Sequence, residues 1–158
     1  MKNNIIFLDF DGVVNTIYYR YYKRFKKYQM RYATSADKIV NNRQAIQWLN
    51  ELYDKYPYDI VVTSTWRLHS NCIQILYNSG LNKKIKIIGY TPHLEGKTRG
   101  EEIKKWIEDN NYIDFNNFII LDDDTDMGDL DKHLIKCDPY LGFTIYEFNK
   151  CIDFFEKK

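Results

Sequence analysis

The sequence predicts an α/β fold, a three-layer sandwich in which a mainly parallel five-stranded sheet lies between helices. Three observations carry that reading. Five short apolar runs rich in β-branched residues end abruptly in polar ones, as buried strands do. Amphipathic stretches lie between several of them, and strands alternating with helices are the pattern of a parallel sheet covered on both faces. Carboxylates and hydroxyls gather just after the apolar runs, where open parallel sheets bind ligands.

The strands are expected at Asn4–Phe10, Asp59–Thr63, Ile85–Gly89, Phe118–Leu121 and Leu134–Cys137. Asn42–Tyr56 places Ile46, Leu49, Leu52, Tyr53 and Tyr56 on one face of a helix. Thr98–Asn110 opens with Thr98 and Glu101 at capping-box spacing and turns Ile103, Trp106 and Ile107 inward. Thr144 and Glu147 repeat the device ahead of a last helix carrying Phe148, Ile152 and Phe155. One segment, at about 16–37, breaks the rhythm. It is basic and rich in Tyr, and reads as a short insert after the first strand. No repeat or second-domain boundary is evident, so residues 1–158 are expected to form one domain with this insert.

Bulk composition narrows the function classes. A chain of 158 residues can bury a core without staples. A net charge of +1 argues against a generally basic nucleic-acid binder, yet the charge is segregated. Residues 1–32 hold seven Lys/Arg against two Asp, whereas residues 101–131 hold eleven acids against two Lys. That asymmetry suits an anionic ligand and a divalent cation sharing one cleft, and also two solvated faces of opposite sign. Cys72, Cys137 and Cys151, like His69, His93 and His133, are too scattered for a disulfide framework or a zinc site. The first apolar run is broken by Asp9 and Asp11, so it reads as neither signal peptide nor membrane span, and a cytoplasmic location is expected.

Three strand ends carry the chemistry: Asp9-Phe10-Asp11-Gly12, Thr63-Ser64-Thr65-Trp66-Arg67 and Asp122-Asp123-Asp124. Clustered carboxylates repel unless a cation holds them. Asp9 and Asp11 are two apart, so an extended backbone points both to one side. One can then attack phosphorus while the other exchanges a proton with the leaving group and with water. A turn or a plain metal site remains open for Asp9 at this stage. Magnesium takes oxygen ligands, which Asp9, Asp11 (through its carbonyl) and Asp122 or Asp123 can supply. Thr63, Ser64 and Arg67 are the expected phosphate donors, with a further cation at Lys97 or Arg99 beside a helix start. Asp124, Asp126, Asp129 and Asp131 read as a polar rim. Trp66 and His69 receive no role.

With these residues in order, the sequence resembles the haloacid dehalogenase (HAD) superfamily of phosphatases. Asp9-Phe10-Asp11-Gly12-Val13, Thr63/Ser64, a basic residue at 97 or 99, and Asp122-Asp123 match its four motifs. Ser64-Thr65-Trp66-Arg67, Arg99-Gly100-Glu101-Glu102-Ile103 with Trp106, and Asp138 through Gly142-Phe143-Thr144 are similar to small HAD domains found alone or fused in RNA-repair (Swiss Army Knife) proteins. The resemblance runs from about Ile5 to Phe155. It implies a Rossmann-like sandwich, Asp9 as a phosphorylated nucleophile, Asp11 as general acid/base, Thr63 as phosphate ligand and Asp123 as metal ligand with Asp122 beside it. The third motif departs from the commoner pattern of a lysine before a helix, and Arg99 is favoured over Lys97 as its cation, with both left open. The insert stands where this superfamily carries its cap and is too short for a full cap domain, which leaves the cleft open to large substrates.

The expected activity is a magnesium-dependent phosphomonoesterase acting on a nucleotide or a phosphorylated polynucleotide end. The basic, tyrosine-rich insert suits single-stranded nucleic acid, through stacking and charge. It equally suits a helix packing its Tyr residues on the domain. A phosphatase of a small metabolite and a silent module binding nucleic acid or protein are the alternatives. No membrane contact and no obligate protein partner are expected.

Overall fold

The computed structural model describes residues 4–19, 42–110 and 117–157. The expected insert therefore lies outside the described residues beyond Tyr19. Five strands, β1 (Asn4–Leu8), β2 (Tyr58–Val62), β3 (Ile87–Tyr90), β4 (Phe118–Asp122) and β5 (Leu134–Lys136), form one sheet in the order β3-β2-β1-β4-β5. Every pairing is parallel. Among the described residues, four helices with both ends defined accompany them, α1 (Arg43–Lys55), α2 (Cys72–Asn78), α3 (Arg99–Asn110) and α4 (Ile145–Glu156), and residues 17–19 are helical as well. Among the described residues, no helix is long and apolar enough to cross a membrane.

The helix boundaries follow from local chemistry. Asn42 Oδ1 accepts from the Ala45 amide at 3.1 Å, opening α1 where its apolar stripe begins. Both expected capping boxes form. The Thr98 amide donates to Glu101 at 2.9 Å and the Glu101 amide to Thr98 Oγ1 at 3.3 Å, starting α3. Thr144 and Glu147 do the same for α4. The short helix α2 and the 3₁₀ turns at Thr65–Leu68 and Gly128–His133 have no counterpart among the expected elements. In α2 only Cys72, Ile75 and Leu76 mark the buried face, too brief a period to stand out. β3 starts later than expected because Ile85 belongs to the preceding turn, with its amide on the Asn82 carbonyl and its carbonyl accepting from the Tyr77 hydroxyl.

Side-chain alternation divides the core. On β1, Ile6 and Leu8 join the apolar cluster that includes α1, α2 and α4, whereas Ile5 and Phe7 join the α3 cluster. Phe7 meets Trp106 and Phe118 edge to face, with ring centroids 5.6 and 5.4 Å apart. A buried side chain of that size contributes roughly 1.5–3 kcal/mol. The same alternation decides what the strand ends present. Ile60 and Val62 share the first cluster and Val61 the second, and on β4 Ile119 and Leu121 oppose Phe118 and Ile120. Leu8 pairs with Val62 on one side and with Leu121 on the other. One residue further along, Asp9, Thr63 and Asp122 therefore stand level on three adjacent strands, with the alternation directing all three toward the α3 side. Chain order also reverses at this point, since β1 leads to β2 while β4 returns to its other edge, which is where such sheets bind ligands.

Candidate active site

The backbone ladder runs one step past the strands and fixes this row. The Asp9 amide donates to the Leu121 carbonyl at 3.0 Å and the Thr63 amide to the Leu8 carbonyl at 2.9 Å. Beyond Asp9 the chain turns back tightly, with the Val14 and Asn15 amides on the Phe10 carbonyl at 2.9 and 2.7 Å. Gly12 lies in this turn at φ +77°, a conformation that costs a side-chain-bearing residue free energy. A Cβ there would also collide with the Asp123 carboxyl group, so the glycine lets the first and fourth strand ends close together.

Arg99, the first residue of α3, supplies the cation. Its Nη1 lies 3.0 Å from Asp9 Oδ1 and 3.5 Å from Asp122 Oδ2. Asp126 anchors that helix start by accepting from the Arg99 amide at 3.0 Å, and its carbonyl receives the Gly100 amide. Lys97 points elsewhere, pairing with Glu101 at 2.9 Å on the exposed surface. The two basic residues left open by sequence are thus separated by position: Arg99 reaches the acids.

Carboxylate oxygens of Asp9, Asp122 and Asp123 come within 4.8 Å of one another. Burial raises the Asp9 carboxyl above its ordinary range, and Arg99 pulls against that rise. Burial first, then the nearby charge of Asp9, pushes Asp122 up to about 7. Asp123 is raised by the same two causes in the same order. Burial works against the charge of Arg99, but Asp9 and Asp122 outweigh it and hold the guanidinium above its usual value. One arginine among three carboxylates leaves a deficit of positive charge. Asp122 Oδ2 is buried without a hydrogen bond. A small hard cation coordinated by oxygen fits this donor set on both counts.

The hydroxyl of Thr63 is fully buried beside this cluster and has no hydrogen-bond partner, whereas buried hydroxyls are ordinarily satisfied. Ser64 caps the turn at Thr65–Leu68, accepting from the Trp66 amide at 3.4 Å, and its side chain also hydrogen-bonds Asp9. Asp11 takes Nε1 of Trp66 on Oδ2 at 3.2 Å and Nδ2 of Asn15 on Oδ1 at 3.3 Å. Trp66 and Asn15 are therefore site residues that sequence reasoning misses. The Phe10–Trp66 ring contact at 5.5 Å shows why, since Trp66 also packs as a core aromatic.

Arg67 is not drawn into the cluster. Its guanidinium donates to the Thr63, Thr91 and Pro92 carbonyls and to Glu102, away from the acids. The expected phosphate donor is instead a buried crosslink, because four acceptors already occupy the fork. Asp124 and Asp126 are exposed, as expected of a polar rim.

No curated protein matches the chain. A family model described as the HAD domain in Swiss Army Knife RNA repair proteins matches residues 5–148, a span that includes every strand-end motif above. The chain belongs to this family of HAD domains.

Proposed function

We propose that the protein is a magnesium-dependent phosphomonoesterase that works through an aspartyl phosphate on Asp9. The observation that carries this reading is the level row of Asp9, Thr63 and Asp122 with Arg99 across its α3 side. Asp9, Asp122 and Asp123 would hold the metal, which supplies positive charge against the carboxylates and the substrate phosphate.

The chain's own residues then divide the chemistry. Arg99 fixes one oxygen of Asp9, leaving the carboxylate to attack phosphorus. A bond forms between an Asp9 oxygen and phosphorus as the ester P–O bond breaks. The departing oxygen takes a proton from Asp11, held by Trp66 and Asn15. Asp11 then accepts a proton from water as that water attacks the same phosphorus. Inorganic phosphate leaves and the Asp9 carboxylate is restored. The Thr63 hydroxyl, lacking any partner, is the donor for a non-bridging phosphate oxygen.

The substrate class we favour is a nucleotide or a phosphorylated polynucleotide end. The RNA-repair setting of the family supports it, as does the basic, tyrosine-rich composition of the segment at about 16–37. We place the enzyme in the cytoplasm as one domain without an obligate protein partner. The test is a screen, with magnesium, of 3′- and 5′-phosphorylated oligonucleotides against nucleotides and sugar phosphates. Preferred turnover of the oligonucleotides or nucleotides is expected. Preferred turnover of sugar phosphates would replace this substrate class with a small metabolite, and no turnover of any of them would point to a silent module.

A further inference from the structure

Arg67 and Glu102 form a buried pair outside the acid cluster, with side chains 3 and 8 % exposed. One guanidinium gathers two strand ends and a helix. Nη1 donates to the Thr63 carbonyl, Nε to the Thr91 carbonyl at 2.9 Å, and Nη2 to the Pro92 carbonyl at 3.1 Å and to Glu102 Oε2 at 2.8 Å. Glu102 adds a further tie by accepting from the Leu94 amide at 3.0 Å. The peptide carrying the orphaned Thr63 hydroxyl is thus held at its amide by β1 and at its carbonyl by Arg67. Glu102 sits on α3, three residues beyond Arg99 and within the same first turn.

We propose that Arg67 and Glu102 are positioning residues that set the Thr63 hydroxyl and the Arg99 guanidinium at a fixed separation across the cleft. Stability alone is a weak reason for such a pair, because desolvation offsets most of the attraction between buried charges. A rigid planar fork with directed donors instead supplies geometry, which a lysine in the same place cannot reproduce. The pair joins the donor side of the site, at the end of β2, to the helix that presents the cation. The inference rests on the phosphatase reading for its catalytic consequence, but not for the structural coupling itself.

Two readouts on Arg67→Lys, each repeated on the milder Glu102→Gln, test it. The first is a double-mutant cycle with Thr63→Val, using p-nitrophenyl phosphate and magnesium. Arg67→Lys should lower kcat roughly 10- to 100-fold in the normal background, the scale of a small misplacement at a reacting centre. It should cost less than about twofold once the hydroxyl it places is gone. The second readout is amide hydrogen exchange, which needs no activity. Exchange at Thr63, Arg67, Thr91 and Leu94 should quicken while Ile6 to Leu8 stay protected. An undiminished cost in the Thr63→Val background, or unchanged exchange at those four amides, would overturn the proposal. A wild-type protein without phosphatase activity but with quickened exchange in Arg67→Lys would sink the phosphatase reading and uphold the coupling.

Discussion

Gly12 and Asp123 occupy adjoining space: a side chain at residue 12 would overlap the carboxyl group of residue 123. Two strand ends far apart in sequence are thereby brought together, and an acid reaches the Asp9–Asp122 cluster over a residue that has no Cβ. The positive φ of +77° at Gly12 belongs to the same arrangement.

Gly12→Ala should therefore fail twice. The backbone conformation alone costs about 1–3 kcal/mol for a residue with a side chain. The collision then displaces Asp123, so the stabilisation gained on adding magnesium should shrink. Thermal melts with and without magnesium measure both effects. Asp123→Ala in the same chain removes the carboxyl group but keeps a Cβ 2.6 Å from the new side chain, so it should recover only part of the stability lost to the collision and none of the backbone part. A Gly12→Ala protein as stable and as magnesium-responsive as the parent would show that the close approach is unimportant.

Arg99 and Lys97 should behave oppositely. Arg99→Gln removes the cation held against Asp9 and Asp122, and activity should drop on the order of 100-fold, as when a preorganised electrostatic donor is lost. Lys97→Gln breaks an exposed pair with Glu101 and should leave activity within about twofold. Steady-state kinetics on p-nitrophenyl phosphate distinguish them, and comparable losses in the two variants would remove Arg99 from the role assigned to it.

The raised carboxylates predict a pH dependence of stability. Asp122 titrates at about 7 in the folded protein, against 3.8 for an unperturbed aspartate. A carboxyl whose folded pKa is raised is favoured while protonated, so its contribution is fully present below the unfolded value and is lost as pH rises through the folded one. Metal-free protein should lose stability between about pH 4 and pH 7, with Asp9 and Asp123 acting in the same direction. Magnesium should reverse the loss near neutrality by binding the ionised forms. Denaturant titrations across this range, repeated on Asp122→Asn, check it: the variant should show a flatter profile. An unchanged slope in that variant would assign the effect elsewhere.

Trp66→Phe keeps an aromatic ring against Phe10 but deletes the indole N–H that reaches Asp11. We expect kcat to fall roughly tenfold as the acid/base carboxyl loses its orientation, with KM little changed. A change confined to KM would place Trp66 against substrate instead.

Much of this architecture is legible in the amino-acid sequence. The apolar runs locate all five strands to within about two residues, and the capping boxes at Thr98–Glu101 and Thr144–Glu147 set two helix starts. Those signals are local, written in periodicity and in side-chain-to-backbone hydrogen bonds three residues apart. The strand-end acids, Thr63 and Arg99 are legible as chemistry, because carboxylates and hydroxyls after buried strands have few structural reasons to be there. What stays hidden depends on contacts between distant segments. Nothing in the run Thr63 to Arg67 reveals that its arginine turns toward Thr91, Pro92 and Glu102 instead of the acids. Trp66 is concealed for a related reason, since one indole both packs in the core and donates to Asp11. Glu102 does not stand out either, because an acid in the first turn of a helix ordinarily answers the helix dipole.

In the proposed mechanism Asp9 carries the phosphoryl group. Rapid acid quench of the enzyme with p-nitrophenyl phosphate and magnesium, followed by peptide mass spectrometry, measures it directly. A single phosphoryl adduct on Asp9 is expected, appearing within one turnover and absent, together with activity, in Asp9→Asn. An adduct on another residue, or hydrolysis that persists in Asp9→Asn, would contradict it.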